Sequence, residues 1–162
     1  DYLSDENGSV RTVYAHHTEE DMSLALAQPW CSVGSDGSAL AVAGALRRGN
    51  PHPRSFGTFP RVLGVYVREL NVLRLEDAVR KMTSLNAAKI GLTDRGLIRP
   101  GQYADLVIFN PTTVIDRATY TEPFQYSDGI ITVLVNGQVA MQDGEPTTAR
   151  AGRALRRHIE KN

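Results

Sequence analysis

Ser32-Val33-Gly34-Ser35-Asp36-Gly37 is the stretch on which the fold of this chain turns. A short β-prone run ends in a single carboxylate and passes directly into glycine. A strand end is a rigid place from which to present one acid group. Working backward, Trp30-Cys31-Ser32-Val33-Gly34-Ser35 reads as a strand, and Arg11-Thr12-Val13-Tyr14-Ala15-His16 as an earlier one. Between them Thr18 is a good helix N-cap. Glu19, Glu20 and Asp21 fill the first turn, where the helix dipole favours acids, and Gln28-Pro29 stops the helix. Strand, helix, strand in close order predicts parallel packing, so the fold class is α/β.

Working forward, residues 38–55 read as a long loop over a pocket, with a helical turn around 39–46. Loops of that length inside a domain are usually functional. The run His52-Pro53-Arg54-Ser55-Phe56-Gly57-Thr58-Phe59-Pro60-Arg61 follows, with Pro60 opening a helix over 60–70. Val62, Leu63, Tyr66, Val67 and Leu70 line one face of it. A second helix carries Leu75, Ala78, Val79 and Met82 as its stripe and Glu76-Asp77 at its N-terminal end. A third, over 86–90, stops at Gly91. Beyond Gly91, glycine and proline punctuate short β-rich runs, one over 104–109 and one over 130–135. Asn136-Gly137 before Gln138-Val139-Ala140 is the strongest hairpin signal. The chain thus divides near Leu92 into two parts, 1–92 and 93–162, the second a small antiparallel β unit.

The 162 residues are 41% hydrophobic, enough for a core, and 18 Lys+Arg balance 18 Asp+Glu. With no basic field and no long apolar run, neither a nucleic acid nor a membrane is an expected partner. The basic tail over 150–161 reads as a solvated helix end. One cysteine, Cys31, excludes a disulfide within the chain, and a reduced cytoplasmic setting is expected. The polar start at Asp1 carries no signal-peptide pattern, and the chain reads as part of something longer.

Asp36 suits a metal ligand, a general base, or both; the bland alternative is a loop cap, since Asp before Gly is common in turns. Arg54 suits a bidentate grip on a substrate carboxylate; the alternative is a structural ion pair. His52 suits a role in placing Arg54 or in the pocket itself, or simply a satisfied loop histidine. His16 and His17 are adjacent on a strand and so face opposite ways, a poor metal pair. Cys31 reads as a structural thiol, and Tyr66 and Tyr103 as core or interface residues.

Four runs resemble the C-terminal part of the N-acyl-D-amino-acid deacylases (D-aminoacylases), within the metal-dependent amidohydrolases. They are Gly34-Ser35-Asp36-Gly37; His52 through Leu63; Ala78-Val79-Arg80-Lys81-Met82-Thr83-Ser84; and Arg95 through Leu106. The last two are widespread among amidohydrolases, whereas the run from His52 is specific to the D-aminoacylase branch. The resemblance implies the C-terminal part of a (β/α)8 barrel followed by part of a small β-sandwich. It implies a Zn2+ cofactor, with Asp36 ending the last barrel strand, binding or facing the metal and serving as acid/base. It implies that Arg54 grips the α-carboxylate of an N-acyl-D-amino acid. The family's other metal ligands would lie upstream, so the missing N-terminal part becomes an expected partner. Two other readings compete: a cyclic-amide hydrolase of the dihydroorotase or hydantoinase type, and a truncated module without catalysis.

Overall fold

A computed structural model describes residues 17–155 of the chain. The strand expected over 11–16 and most of the basic tail lie outside the described residues. The first element, α1 (Glu19–Ala27), begins where the sequence directs. Thr18 accepts from the Asp21 amide at 3.1 Å, and Asp21 reaches back to the Thr18 amide, a reciprocal cap.

The stretch 30–35, expected as a strand, begins in a turn at Trp30, carries no regular structure over 31–35 and pairs with no strand among the described residues. Its backbone is satisfied by helices instead. The Val33 amide donates to the Lys81 carbonyl, and Asn86 donates to the Val33 carbonyl. The parallel strand pair of the α/β reading is therefore absent from the described residues, whose sheet is antiparallel throughout.

The next helix starts earlier than expected. α2 (Arg54–Arg61) begins at Arg54, with Pro60 inside it, and continues without a break into a π-helical stretch, Val62–Glu69. Pro60 has no amide to give the Phe56 carbonyl four residues back. That carbonyl accepts instead from the Ser127 hydroxyl at 3.3 Å. An outside donor thus repairs the defect, which lets the helix run through its proline. Two shorter helices follow, α3 (Leu75–Met82) and α4 (Ser84–Ile90), the latter closed by Gly91 in the left-handed region.

Leu26, Val33, Val62, Leu63, Tyr66, Leu73, Ala78 and Val114 form the core. It therefore lies among the helices and the chain that crosses them. Val114 belongs to the long connection between β1 (Leu106–Phe109) and β2 (Ile130–Val135), which folds back on the π-helical stretch. Arg68 donates to the Val114 carbonyl at 2.7 Å, and a Cβ on Gly64 would stand 2.7 Å from the same oxygen. Gly129, at φ 76°, lies still closer: its Cβ would meet the Val114 nitrogen at 2.5 Å.

β3 (Gln138–Gln142) and β4 (Glu145–Pro146) complete a sheet ordered β1-β2-β3-β4. Asn136-Gly137 makes the expected two-residue hairpin, both residues at positive φ, with Val135 opposite Gln138. Asp143-Gly144 repeats the device between β3 and β4, a hairpin that the sequence reading passed over. Arg95 ties the preceding loop to the first turn. It pairs with Asp105, donates to Asn136 Oδ1 at 2.9 Å and lies over the Tyr103 ring. Tyr103 is accordingly exposed rather than part of the core, whereas Tyr66 is buried.

Candidate active site

Four side chains from α3 and α4 hold the segment that leads to Asp36. Arg80 donates to the Pro29 carbonyl at 2.8 Å and Lys89 to that of Trp30 at 2.8 Å. Asn86 donates to that of Val33 at 2.8 Å. Lys81, only 1% exposed, gives its ammonium to the carbonyls of Gln28 and Cys31. A buried ammonium needs such partners, because desolvation without them is costly. Sequence reasoning recognised the Arg80-Lys81 run as a motif without seeing this clamp; a lysine beside Met82 of the core-facing stripe was the available signal. Cys31, half-buried and free, sits within the clamped segment.

From this anchored segment the chain enters Asp36, whose backbone adopts φ 49°. Aspartate tolerates that left-handed conformation better than most residues, and such positions cluster at functional sites. Gly37 follows because nothing larger fits: a Cβ there would stand 2.9 Å from Ser55 Cα and 3.2 Å from the Arg54 carbonyl. The Asp36 turn and the start of α2 are therefore pressed together, backbone on backbone.

That approach unites the residues singled out by the sequence. Arg54 Nη2 lies 2.6 Å from Asp36 Oδ2, and Arg54 Nε donates to the Asp36 carbonyl at 2.9 Å. The Asp36 side chain is 84% exposed and that of Arg54 44% exposed, so the pair faces open solvent. Asp36 points neither into packed interior nor away from the arginine loop. The bland alternative for Arg54, an ion pair, is thus met in this structure by Asp36, the other candidate residue.

His52 acts at the helix start. Its ring Nδ1 accepts from the Arg54 amide at 3.0 Å, while its carbonyl accepts from the Ser55 amide at 3.1 Å. Both bonds satisfy amides that a helix N-terminus leaves without intrahelical partners. The other ring nitrogen, Nε2, lies 3.0 Å from the Tyr120 hydroxyl, and the two rings meet edge to face. Partial burial first, and the Arg54 charge second, push the His52 pKa below the ordinary imidazole value, against an opposing pull from Asp36. Tyr120 was not singled out from sequence, since an aromatic in a loop sixty-odd residues away carries no local mark of the contact.

The long loop contributes a 3-10 turn, Gly44–Leu46, and then Arg47, whose guanidinium lies 4.1 Å over the Phe124 ring. Phe56 packs edge-on against Phe124 and Tyr126. The loop and the β1–β2 connection thus meet beside the Asp36–Arg54 pair. Among the described residues, no group of three His, Cys, Asp or Glu side chains could hold a metal ion. His17 joins no such group, and His16 lies outside the described residues. No helix among them is long and apolar enough to cross a membrane.

Comparison with known proteins agrees with the four sequence runs. The model of the amidohydrolase family matches residues 31–141. An N-acyl-D-aspartate deacylase of Alcaligenes xylosoxydans xylosoxydans is 45% identical over 159 residues, covering 94% of this chain and 30% of the relative. The solved structure of a D-aminoacylase with a binuclear metal centre superposes with a TM-score of 0.78 at 47% identity, covering 86% of this chain and 28% of that one. An N-acyl-D-glutamate deacylase from Bordetella bronchiseptica, solved with zinc and a phosphonate mimic of the tetrahedral intermediate, gives 0.68 at 42% identity, over 83% and 28%. The chain spans about 30% of the length of the curated relatives it matches.

Proposed function

Since the chain belongs to the amidohydrolase family, we propose that it forms the C-terminal portion of an enzyme that hydrolyses the amide bond of N-acyl-D-amino acids. The products are a D-amino acid and a carboxylate. The observation that carries this reading is the exposed Arg54–Asp36 pair, a fixed cation beside a fixed acid. A guanidinium in that position suits the α-carboxylate of the substrate, which would replace Asp36 as its partner. Asp36, so released, suits taking a proton from the water that adds to the carbonyl and then handing it to the departing amine nitrogen as the carbon–nitrogen bond breaks. His52 acts on substrate only indirectly, by holding the Arg54 amide.

The compared proteins carry deacylase and aminoacylase names, which supports this substrate class over cyclic amides. The metal centres of the compared structures support a metal cofactor for the whole enzyme, zinc in this reading. The described residues do not by themselves fit that metal, because Asp36 would supply one ligand where a catalytic zinc takes about three from protein. The remaining ligands, and the rest of the barrel, are assigned to chain outside this sequence, which is the proposed partner. Residues 1–92 are read as the closing part of the barrel. Residues 93–162 are read as part of a β-sandwich, a reading that the antiparallel sheet supports.

The test is Arg54→Ala in the longer enzyme, assayed on paired N-acyl-D-amino acids with free and amidated carboxyls. Selective loss on the free acids is expected. Equal loss on both would remove the grip from the mechanism.

A further inference from the structure

We propose that Tyr120 is a positioning residue of this site: its hydroxyl accepts from Nε2 and holds the His52 ring in place, and that ring fixes the start of the helix carrying Arg54. The inference rests on reading Arg54 as the carboxylate grip.

The geometry runs from the helix outward. The Arg54 amide is a donor, so the His52 Nδ1 that meets it at 3.0 Å carries a lone pair. The neutral ring then bears its proton on Nε2, which donates to the Tyr120 oxygen at 3.0 Å. The other tautomer would set N–H against N–H at the helix start. The ring is thus held at both nitrogens, and the edge-to-face contact with Tyr120, centroids 5.0 Å apart, fixes its plane.

Tyr120 can do this because its own loop is closed. The Thr119 amide donates to the Glu122 carbonyl at 3.1 Å, and the Glu122 amide to the Thr119 hydroxyl at 2.9 Å. Gln125 adds bonds to the carbonyls of Arg117 and Glu122 at 3.0 and 2.8 Å. The tyrosine therefore stands at the tip of a self-braced turn. The β1–β2 connection reaches the substrate-facing cation through it.

Tyr120→Phe keeps the ring and removes only the acceptor. Nitrogen NMR of the labelled imidazole in the longer enzyme is expected to report Nε2–H in both proteins, since the Arg54 amide sets the tautomer, with the Nε2 proton exchanging faster with solvent in the variant. In the longer enzyme the variant is expected to raise KM for free-acid substrates by up to about tenfold, with a smaller change in kcat. His52→Asn supplies a capping oxygen that needs no help from Tyr120; in that background, adding Tyr120→Phe is expected to change KM no further. An unchanged exchange rate of the Nε2 proton in Tyr120→Phe, or an undiminished KM effect in the His52→Asn background, overturns the inference whatever Arg54→Ala does. Unaltered free-acid preference in Arg54→Ala overturns the underlying grip and leaves the tautomer assignment standing.

Discussion

Two stretches of this chain end up in opposite situations. Over residues 130–142 the backbone groups pair strand to strand, and the turn between the strands is set by its own two residues, Asn136 and Gly137. Over residues 28–33 the carbonyls are taken by Arg80, Lys81, Asn86 and Lys89, which arrive from helices some fifty residues downstream. Residues 30–35 and 130–135 both read as strands in the sequence. What separates them is the origin of their partners. A hairpin carries its partner in the next few residues, whereas the segment before Asp36 depends on distant side chains for most of its carbonyl bonds, beside a local bond from the Cys31 amide to the Gln28 carbonyl. The helically clamped stretch ends at the candidate acid; the hairpin stretch ends at a structural turn.

The largest effect is expected at the end of the clamped stretch. In the longer enzyme, Asp36→Asn should cost on the order of a hundredfold or more in kcat, the scale of a lost acid/base. The backbone bond from Arg54 to the Asp36 carbonyl survives the change, so circular dichroism and melting should stay near native. Turnover close to wild type would detach Asp36 from the chemistry.

The clamp itself is tested by Lys81→Met, which leaves the Gln28 and Cys31 carbonyls short of a buried donor. A loss of about 2–4 kcal/mol in denaturant unfolding is expected from groups of this kind. No loss would mean that water or neighbouring groups satisfy both carbonyls and that the clamp adds nothing. Gly129→Ala probes the junction between the two regions, where a Cβ would collide with the Val114 backbone. Strain of about 1–3 kcal/mol is expected, read as a lowered melting temperature.

A smaller change, about 1 kcal/mol, is expected for Asn136→Ala. It removes the bonds from Asn136 to Arg95 and Ala151 and its tolerance of φ 49°. Amide exchange should quicken in β2 and β3 and not over residues 28–33; equal quickening in both would erase the contrast between them.

The slightest effect concerns pH. The folded protein holds His52 neutral with a lowered pKa, so the unfolded chain takes up the proton first as pH falls. The stabilising contribution is therefore whole above about pH 6.5 and is lost as pH falls through the lower folded value. Stability measured from pH 7.5 down to 5 should fall more for wild type than for His52→Asn. Parallel curves would show that His52 does not contribute.

The elements with local signatures were legible. Thr18 and Asp21 wrote the start of α1, Gly91 the end of α4, and Asn136-Gly137 the hairpin, because each rests on bonds within a few residues. Pro60 misled: a proline suits a helix start, but here the Ser127 hydroxyl takes over the abandoned carbonyl, and the helix begins at Arg54. Trp30 through Ser35 misled for the same reason, since no strand among the described residues lies beside it and helical side chains supply its bonds.

By itself the sequence singled out the candidate residues, Asp36 before a glycine, Arg54 after a proline and His52 between them. It also determined the caps and turns that start and stop the regular elements. Tertiary structure alone decided that Gly37 meets Ser55 closely enough to join Asp36 to Arg54, and that Tyr120 reaches His52. A cap or hairpin is settled by torsions and hydrogen bonds among neighbours in the chain. A meeting of distant side chains is settled only once the core has fixed the elements that carry them.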